Sequence, residues 1–228
     1  MLLSKELIDR ALKVDPAQIG HYVESGFLSP RIQPLDDSFK VIGPAFTVRI
    51  PTNDNAMIYY AIKRAPAGSV LVVDRMGENR YACCGEMVVR AAISRGLAGI
   101  VIDGTSTDTR SIRELGFPVF STGRSAVTCF PTGINGECNI TISCGGCTIH
   151  PGDIIFGDLD GLISCPFDKF EAYLFKAENA NLQEARTIRR YQEEPDFYMA
   201  DAWRGLDRAL ETGALAEDLR KRMRSGDF

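Results

Sequence analysis

Apolar residues recur along the chain first at helical and then at strand spacing. Leu7, Ile8, Ala11 and Leu12 share one face of a helix expected over residues 4–14, and a second short helix is expected around Pro16 to Glu24. After a proline-bearing stretch, Ala45 to Ile50 reads as a strand. Asn53 or Asp54 can then cap a helix carrying Ile58, Tyr59, Ala61 and Ile62, which Pro66 to Gly68 stops. Ser69 to Asp74 is an almost unbroken apolar run, as expected of a strand buried on both faces. Gly85 to Gly96 forms a glycine-closed helix, Gly99 to Asp103 a strand, and Asp108 or Thr109 opens a helix through Ile112 and Leu115. Gly116 to Pro118 ends that helix before Val119 to Ser121 extends again. Strand, helix, strand implies a parallel crossover, so the fold class expected is α/β.

Past Cys129 the helical signal fades into short strands joined by glycine turns: Asn139 to Cys144 before Gly145-Gly146, then Ile154 to Phe156 and Leu162 to Ser164. A long helix fits Asp168 to Gln192, on which Phe170, Leu174, Ala177, Leu182, Ala185 and Ile188 recur near the helical period. The expected organisation is one α/β domain over residues 1–194 and a C-terminal helical tail over 195–228.

The 228 residues are 45% hydrophobic and 25% charged, enough for one sizeable core. A net charge of −4, with no dense basic run before Arg220 to Arg224, argues against a nucleic-acid partner. The start turns charged after three residues and no apolar stretch approaches the roughly 18 residues that span a bilayer, so no membrane association and a cytoplasmic location are expected. Seven cysteines, an odd count without an export signal, point to free thiols. Cys144-Gly-Gly-Cys147 has zinc or redox spacing, but only Cys138 and His150 remain to complete a four-ligand set, and a strand with its turn explains the pair better. Adjacent Cys83 and Cys84 read as small buried residues. Neither His21 nor His150 sits in a nucleophile motif, and no glycine-rich nucleotide fingerprint occurs.

Ligands of α/β units gather beyond the carboxyl ends of parallel strands, which here are followed by the loops Asp74 to Glu86 and Asp103 to Asp108. The helix start offers free backbone N–H groups at Gly85, Glu86, Met87 and Val88 to a carboxylate or phosphate. Asp103 to Asp108 supplies two carboxylates and three hydroxyls, an oxygen-rich setting that suits Mg²⁺ or Mn²⁺. From spacing alone, Asp103 can equally end the strand and Asp108 cap the next helix.

These residues lie among segments in a telling order: Gly43 to Val48, Val70 to Asp74, Gly85-Glu86, Arg95 to Gly99, Ile102 to Gly104, Glu114 to Phe120, Pro151 to Asp153 and Gly157 to Gly161. In that order they resemble the RraA-like family over residues 40–190. The family contains metal-dependent class II pyruvate aldolases, represented by 4-hydroxy-4-methyl-2-oxoglutarate aldolase, which also decarboxylate oxaloacetate. It also contains non-enzymatic inhibitors of ribonuclease E. The resemblance implies a compact β/α/β swivelling-domain-like fold with C-terminal helices, assembled as a trimer or dimer of trimers with sites between subunits.

Carried over residue by residue, the resemblance makes Glu86 and Asp108 catalytic, Asp108 the metal anchor for Mg²⁺ or Mn²⁺, and Gly85, Glu86, Met87, Val88 and Thr107 the substrate-binding group. Thr107 stands where the family's substrate-binding arginine is expected, and Ser111 where a further acid is expected. Arg80 or Arg110 could supply the missing cation. The Asn53-Asp54-Asn55 loop also resembles a family loop near the site, though helix capping accounts for it as well. The function implied is a metal-dependent lyase acting on a small 2-oxo acid through a pyruvate enolate. The alternatives are a non-catalytic regulatory or protein-binding member, and an enzyme with the same metal centre and another substrate.

Overall fold

The computed structural model describes residues 3–133, 136–198 and 210–211. Helices α1 (Lys5–Ala11) and α2 (Pro16–Gly20) lead into β1 (Gln33–Pro34) and β2 (Val41–Arg49). Then come α3 (Ala56–Arg64), β3 (Val70–Asp74), α4 (Glu86–Ser94), β4 (Gly99–Ser106), α5 (Thr109–Leu115) and β5 (Val119–Arg124). The short strands β6 (Glu137–Cys138), β7 (Ile142–Cys144), β8 (Cys147–Ile149), β9 (Ile154–Asp158) and β10 (Gly161–Cys165) precede the long helix α6 (Phe167–Glu193).

The expected α/β class holds. Strands β2, β3, β4 and β5 are parallel neighbours, the order across the sheet is β1-β5-β4-β3-β2-β9-β10, and β6 lies beside β2. One segment laces the two edges together. Leu28 N–H donates to Leu162 O on β10 (2.9 Å), while Gln33 and Pro34 pair with Ser121 and Phe120 on β5. The sheet is therefore nearly closed, which leaves little free edge for another chain to pair with.

Every residue of β3 is buried, as its apolar run requires. Three crossovers carry α3, α4 and α5 back along the sheet, so the N-termini of these helices gather at the carboxyl ends of β2, β3 and β4. A main core lies between them and the sheet, while α1, α2 and α6 pack a second cluster onto β9 and β10 through Ile19, Phe156, Ile163, Phe170 and Leu174.

Several boundaries differ from the sequence expectation. Strand β2 starts earlier, at Val41, because the Gly43-Pro44 pair falls where the strand changes partner from β9 (41–44) to β3 (45–49). The N-cap of α3 is Asn55; Asp54 sits one position earlier, and its Oδ1 accepts the N–H groups of Ala56 (2.8 Å) and Thr132 (3.0 Å). The strand expected from Asn139 begins at Ile142, since Asn139 is left-handed (φ 58°) and turns the chain. Most of the tail expected over 195–228 lies outside the described residues.

All seven cysteines are free thiols. Burial pushes Cys83 and Cys165 up to about 12 from an ordinary 9.0. A group whose folded value is raised stabilises fully below its unfolded value and loses that contribution as pH climbs to the folded one. Stability should therefore fall between pH 9 and 12 by on the order of a few kcal/mol. Urea midpoints across that range, with Cys83→Ala flattening the slope, check this.

Candidate active site

Strand β4 runs three residues past its expected end, to Ser106, because of an irregularity in its pairing with β5. Ile102 pairs with Ser121 but Thr105 with Gly123, so β4 carries one extra residue there. Such a bulge re-aims the residues that follow it. Beyond the bulge the β3–α4 loop joins β4: Cys84 bridges Ser106, Cys83 N–H donates to Thr105 O (3.3 Å) and Thr107 N–H to Cys84 O (2.9 Å). The two loops singled out in the sequence thus lie side by side.

At their junction Asp108 adopts a left-handed conformation (φ 54°, ψ 35°) in the N-cap position of α5, yet makes no side-chain cap bond there. Its Oδ2 instead accepts the Glu86 N–H at 2.9 Å, the first amide of the neighbouring helix α4. The Thr107 hydroxyl reaches Oδ1 at 3.4 Å. The local reading of Asp108 as a cap for its own helix is overturned, because the strained backbone turns the carboxylate toward α4.

Gly85, the N-cap of α4, is extended (φ −140°, ψ −166°), a conformation open to any residue. Its lack of a side chain matters sterically: a Cβ would stand 2.5 Å from Asp108 Oδ2 and 2.8 Å from Thr107 Cγ2. Among the described residues no acceptor takes the N–H groups of Met87 or Val88, so both stay available in a helix first turn with its positive dipole end. Met87 is 60% exposed on the rim, whereas Val88 turns its side chain into the core. Gly85, Glu86, Thr107 and Asp108 are therefore brought together, and the Met87 and Val88 amides continue the same turn.

Glu86 meets Asp108 through its backbone N–H, while its carboxylate is engaged by Arg90. Arg90 one turn on donates to Oε1 through Nε (2.8 Å), its Nη2 lies 2.7 Å from the same oxygen, and Ser111 on α5 is close enough to act on the carboxylate. The Arg90 guanidinium, and after it Ser111, hold the Glu86 carboxyl below the usual carboxylate range. Ser111 thus stands near Glu86 in the place where the family resemblance anticipated an acid. Behind the site, burial first, and then the proximity of Cys83 and Asp108, pushes the Cys84 thiol well up. Asp103, the other carboxylate of the loop, points elsewhere: its Oδ2 accepts Gly145 N–H at 2.8 Å and holds the β7–β8 turn.

The sequence reading missed two residues, Arg124 and Arg75, and left open the role of a third, Asn55. Arg124 pairs in register with Ser106, next to Thr107, a neighbour relation that no linear spacing reveals. Asn55 is buried with an Oδ1 that has no partner among the described residues. Arg75, fully buried directly after β3, is taken up below.

A family model described as RraA-like, Aldolase/RraA, matches residues 7–164, more than half of the chain. The chain belongs to the RraA-like family. A relative from Halalkalibacterium halodurans, provisionally named 4-hydroxy-4-methyl-2-oxoglutarate aldolase, is 40% identical over 151 residues, spanning 66% of this chain and 71% of its own. The RNA-processing inhibitor RraA from Thermus thermophilis superposes with a TM-score of 0.57 at 28% identity, covering 61% of this chain and 84% of the other. A protein of Pseudomonas syringae pv. tomato, 23% identical, shares the fold with a TM-score of 0.74 over 85% of this chain and 92% of its own. The RraA-like fold is thus found with names of an aldolase and of an inhibitor.

Proposed function

We propose that this RraA-like chain is a metal-dependent carbon–carbon lyase that cleaves or decarboxylates a short 2-oxo acid through a pyruvate enolate. Its substrates would be of the 4-hydroxy-4-methyl-2-oxoglutarate or oxaloacetate type. The observation that carries this reading is the Asp108 carboxylate, exposed and turned from its own helix to the first amide of α4. One oxygen is engaged there and the other has only a long contact to Thr107.

A hard cation that keeps most of its waters fits one such carboxylate, as Mg²⁺ and Mn²⁺ do. A cation that demands a full protein cage does not fit, because among the described residues no three His, Cys, Asp or Glu side chains converge. Held at Asp108, the ion supplies Lewis-acid stabilisation of charge developing on the 2-oxo oxygen. The chain's own groups do the rest. The Met87 and Val88 N–H groups receive the substrate carboxylate, aided by the helix dipole, and the Thr107 hydroxyl stands beside them. Glu86, held below its ordinary range, accepts a proton weakly, so it is assigned to ordering a water near the reacting carbon. An assembly of three copies with shared sites, and a helical tail from residue 195, belong to the same proposal.

A regulatory, protein-binding role is the second reading. It is favoured by Thr107 in place of the expected arginine and by the engagement of Glu86 with Arg90. Pyruvate release from 4-hydroxy-4-methyl-2-oxoglutarate and from oxaloacetate, before and after chelation and on adding Mg²⁺ or Mn²⁺, separates the readings. Release that requires the ion is expected; silence on both substrates with metal present would favour the binding role.

Replacing Thr107 with Arg tests whether the site prefers another substrate. A bidentate contact to a carboxylate is worth about 1.5–3 kcal/mol, so KM for a pyruvate-forming acid should drop roughly ten- to hundredfold. An unchanged KM would mean that the same centre serves a different ligand.

A further inference from the structure

We infer that Arg75 is a positioning residue whose buried guanidinium ties together three loops at the carboxyl edge of the sheet and thereby fixes the Glu86 amide against the Asp108 carboxylate. Its importance for chemistry rests on the lyase reading; the positioning itself does not.

Arg75 follows β3 directly and is 0% exposed. Its Nη1 donates to the carbonyls of Ile50 (3.2 Å) and Thr52 (2.8 Å), on the segment leading from β2 to α3. Its Nη2 donates to Glu78 Oε2 and to Tyr81 O (3.2 Å) in the loop leading to α4, and lies 3.6 Å from Cys129 Sγ in the segment after β5. Glu78 relays the hold: its Oε1 accepts Arg80 N–H (2.8 Å), and Tyr81 N–H lies 3.1 Å from Oε2 and 3.2 Å from Oε1. Burial works against the Glu78 charge, but the Arg80 and Tyr81 amides and the Arg75 guanidinium outweigh it and keep the carboxyl below its ordinary value.

From Tyr81 the chain needs four residues to reach Gly85, and each side of that short run is tied down. Ala82 N–H donates to Val127 O (2.8 Å) and Cys129 N–H to Ala82 O (2.9 Å), while Cys83 and Cys84 join β4 as described above. Gly104 on β4 makes room for the arginine. A Cβ there would lie 2.5 Å from Arg75 Cγ, 3.1 Å from its Cβ and 3.2 Å from Glu78 O. The strand that delivers Asp108 and the loop that delivers Glu86 therefore both rest on the same side chain.

Backbone strain points the same way. Met76, next in the chain, is left-handed (φ 51°), a costly state for a residue with a long side chain, and its N–H donates to Asp74 Oδ1 (2.8 Å). Such strain persists only where the surroundings over-determine it. A buried ion pair is also a poor route to stability, since apolar groups of similar shape often do as well, but its fixed donor geometry can select one loop arrangement.

The test uses the full chain with Arg75→Ala, Arg75→Lys and Gly104→Ala, followed by hydrogen exchange and mass spectrometry. The hydrogen-bonded amides of Ala82, Cys83, Glu86 and Val89 should exchange at least tenfold faster in each variant, while those of residues 167–177 in α6 stay within twofold of the parent. In Arg75→Ala, millimolar guanidinium should restore protection and urea, its uncharged analogue, should not. If Arg75→Ala does not fold, Gly104→Ala carries the test. Unchanged exchange at Ala82, Cys83, Glu86 and Val89, or an increase spread equally over α6, overturns the inference. So does pyruvate release that is measurable in the parent and equal in all the variants. Local loosening in a protein whose parent form releases no pyruvate would leave the positioning role standing and remove the lyase reading instead.

Discussion

Asp108→Asn is expected to abolish metal-dependent turnover, a fall of at least about a hundredfold, in a protein that folds as the parent does. Asparagine keeps the side-chain shape, tolerates the left-handed backbone at φ 54°, and retains an oxygen that can accept the Glu86 N–H. Only the charge that would hold a hard cation is lost. Asp108→Ala should do the same to turnover but cost about 1–2 kcal/mol more, because alanine is less at ease in that conformation and leaves the amide to water. Neither change reaches the core, and α5 loses no cap, since the carboxylate never capped it. Steady-state rates with and without Mn²⁺, beside urea unfolding curves, decide the matter. Parent-like turnover in Asp108→Asn would exclude this carboxylate as the anchor.

A single added methyl at Gly85 should be nearly as damaging. The backbone there is ordinary extended chain, so Gly85→Ala meets no conformational penalty and isolates the steric effect. Its Cβ would fall 2.5 Å from Asp108 Oδ2 and 2.8 Å from Thr107 Cγ2, well inside contact distance. The clash can be relieved by pushing the carboxylate off the Glu86 N–H or by moving the start of α4. Either shift separates the ion-holding group from the amides meant to receive the substrate, and misplacement near 1 Å is enough to cost about a hundredfold. Turnover should drop by that order while the thermal midpoint moves by only a few degrees. Retained turnover would show that the close packing of Gly85 on Asp108 is incidental.

The regulatory reading makes a different demand on the same surface. A protein-binding member needs no ion, so both variants would then leave partner capture indifferent to chelation. The engagement of Glu86 by Arg90 and Ser111 is compatible with either role, because it quiets the carboxylate as a base without removing it from the rim.

Among the described residues no helix is long and apolar enough to cross a membrane. Local periodicity was sufficient for the class of fold. The unbroken apolar run of β3 and the glycine-closed face of α4 are short-range features, and burial on both sides of a parallel sheet leaves that mark in any sequence that achieves it. It was the resemblance to the RraA-like family, carried by the order of the segments, that grouped Gly85, Glu86, Thr107 and Asp108. Their common location then followed from the pairing of the β3–α4 loop with β4.

What the linear chain left open depends on contacts between distant segments. Whether Asp108 serves its own helix or the next is decided by a left-handed dihedral angle beyond a bulge, and the bulge exists only when β4 meets β5. The quieting of Glu86 requires α4 and α5 to touch at Ser111, and the burial of Arg75 requires a glycine nearly thirty residues away on another strand. Hydrophobic period is a property of neighbours along the chain, so sequence carries it directly. The direction of a carboxylate and the fate of a buried charge are set by whichever groups packing brings within about 3 Å, and those partners appear only once the fold is closed.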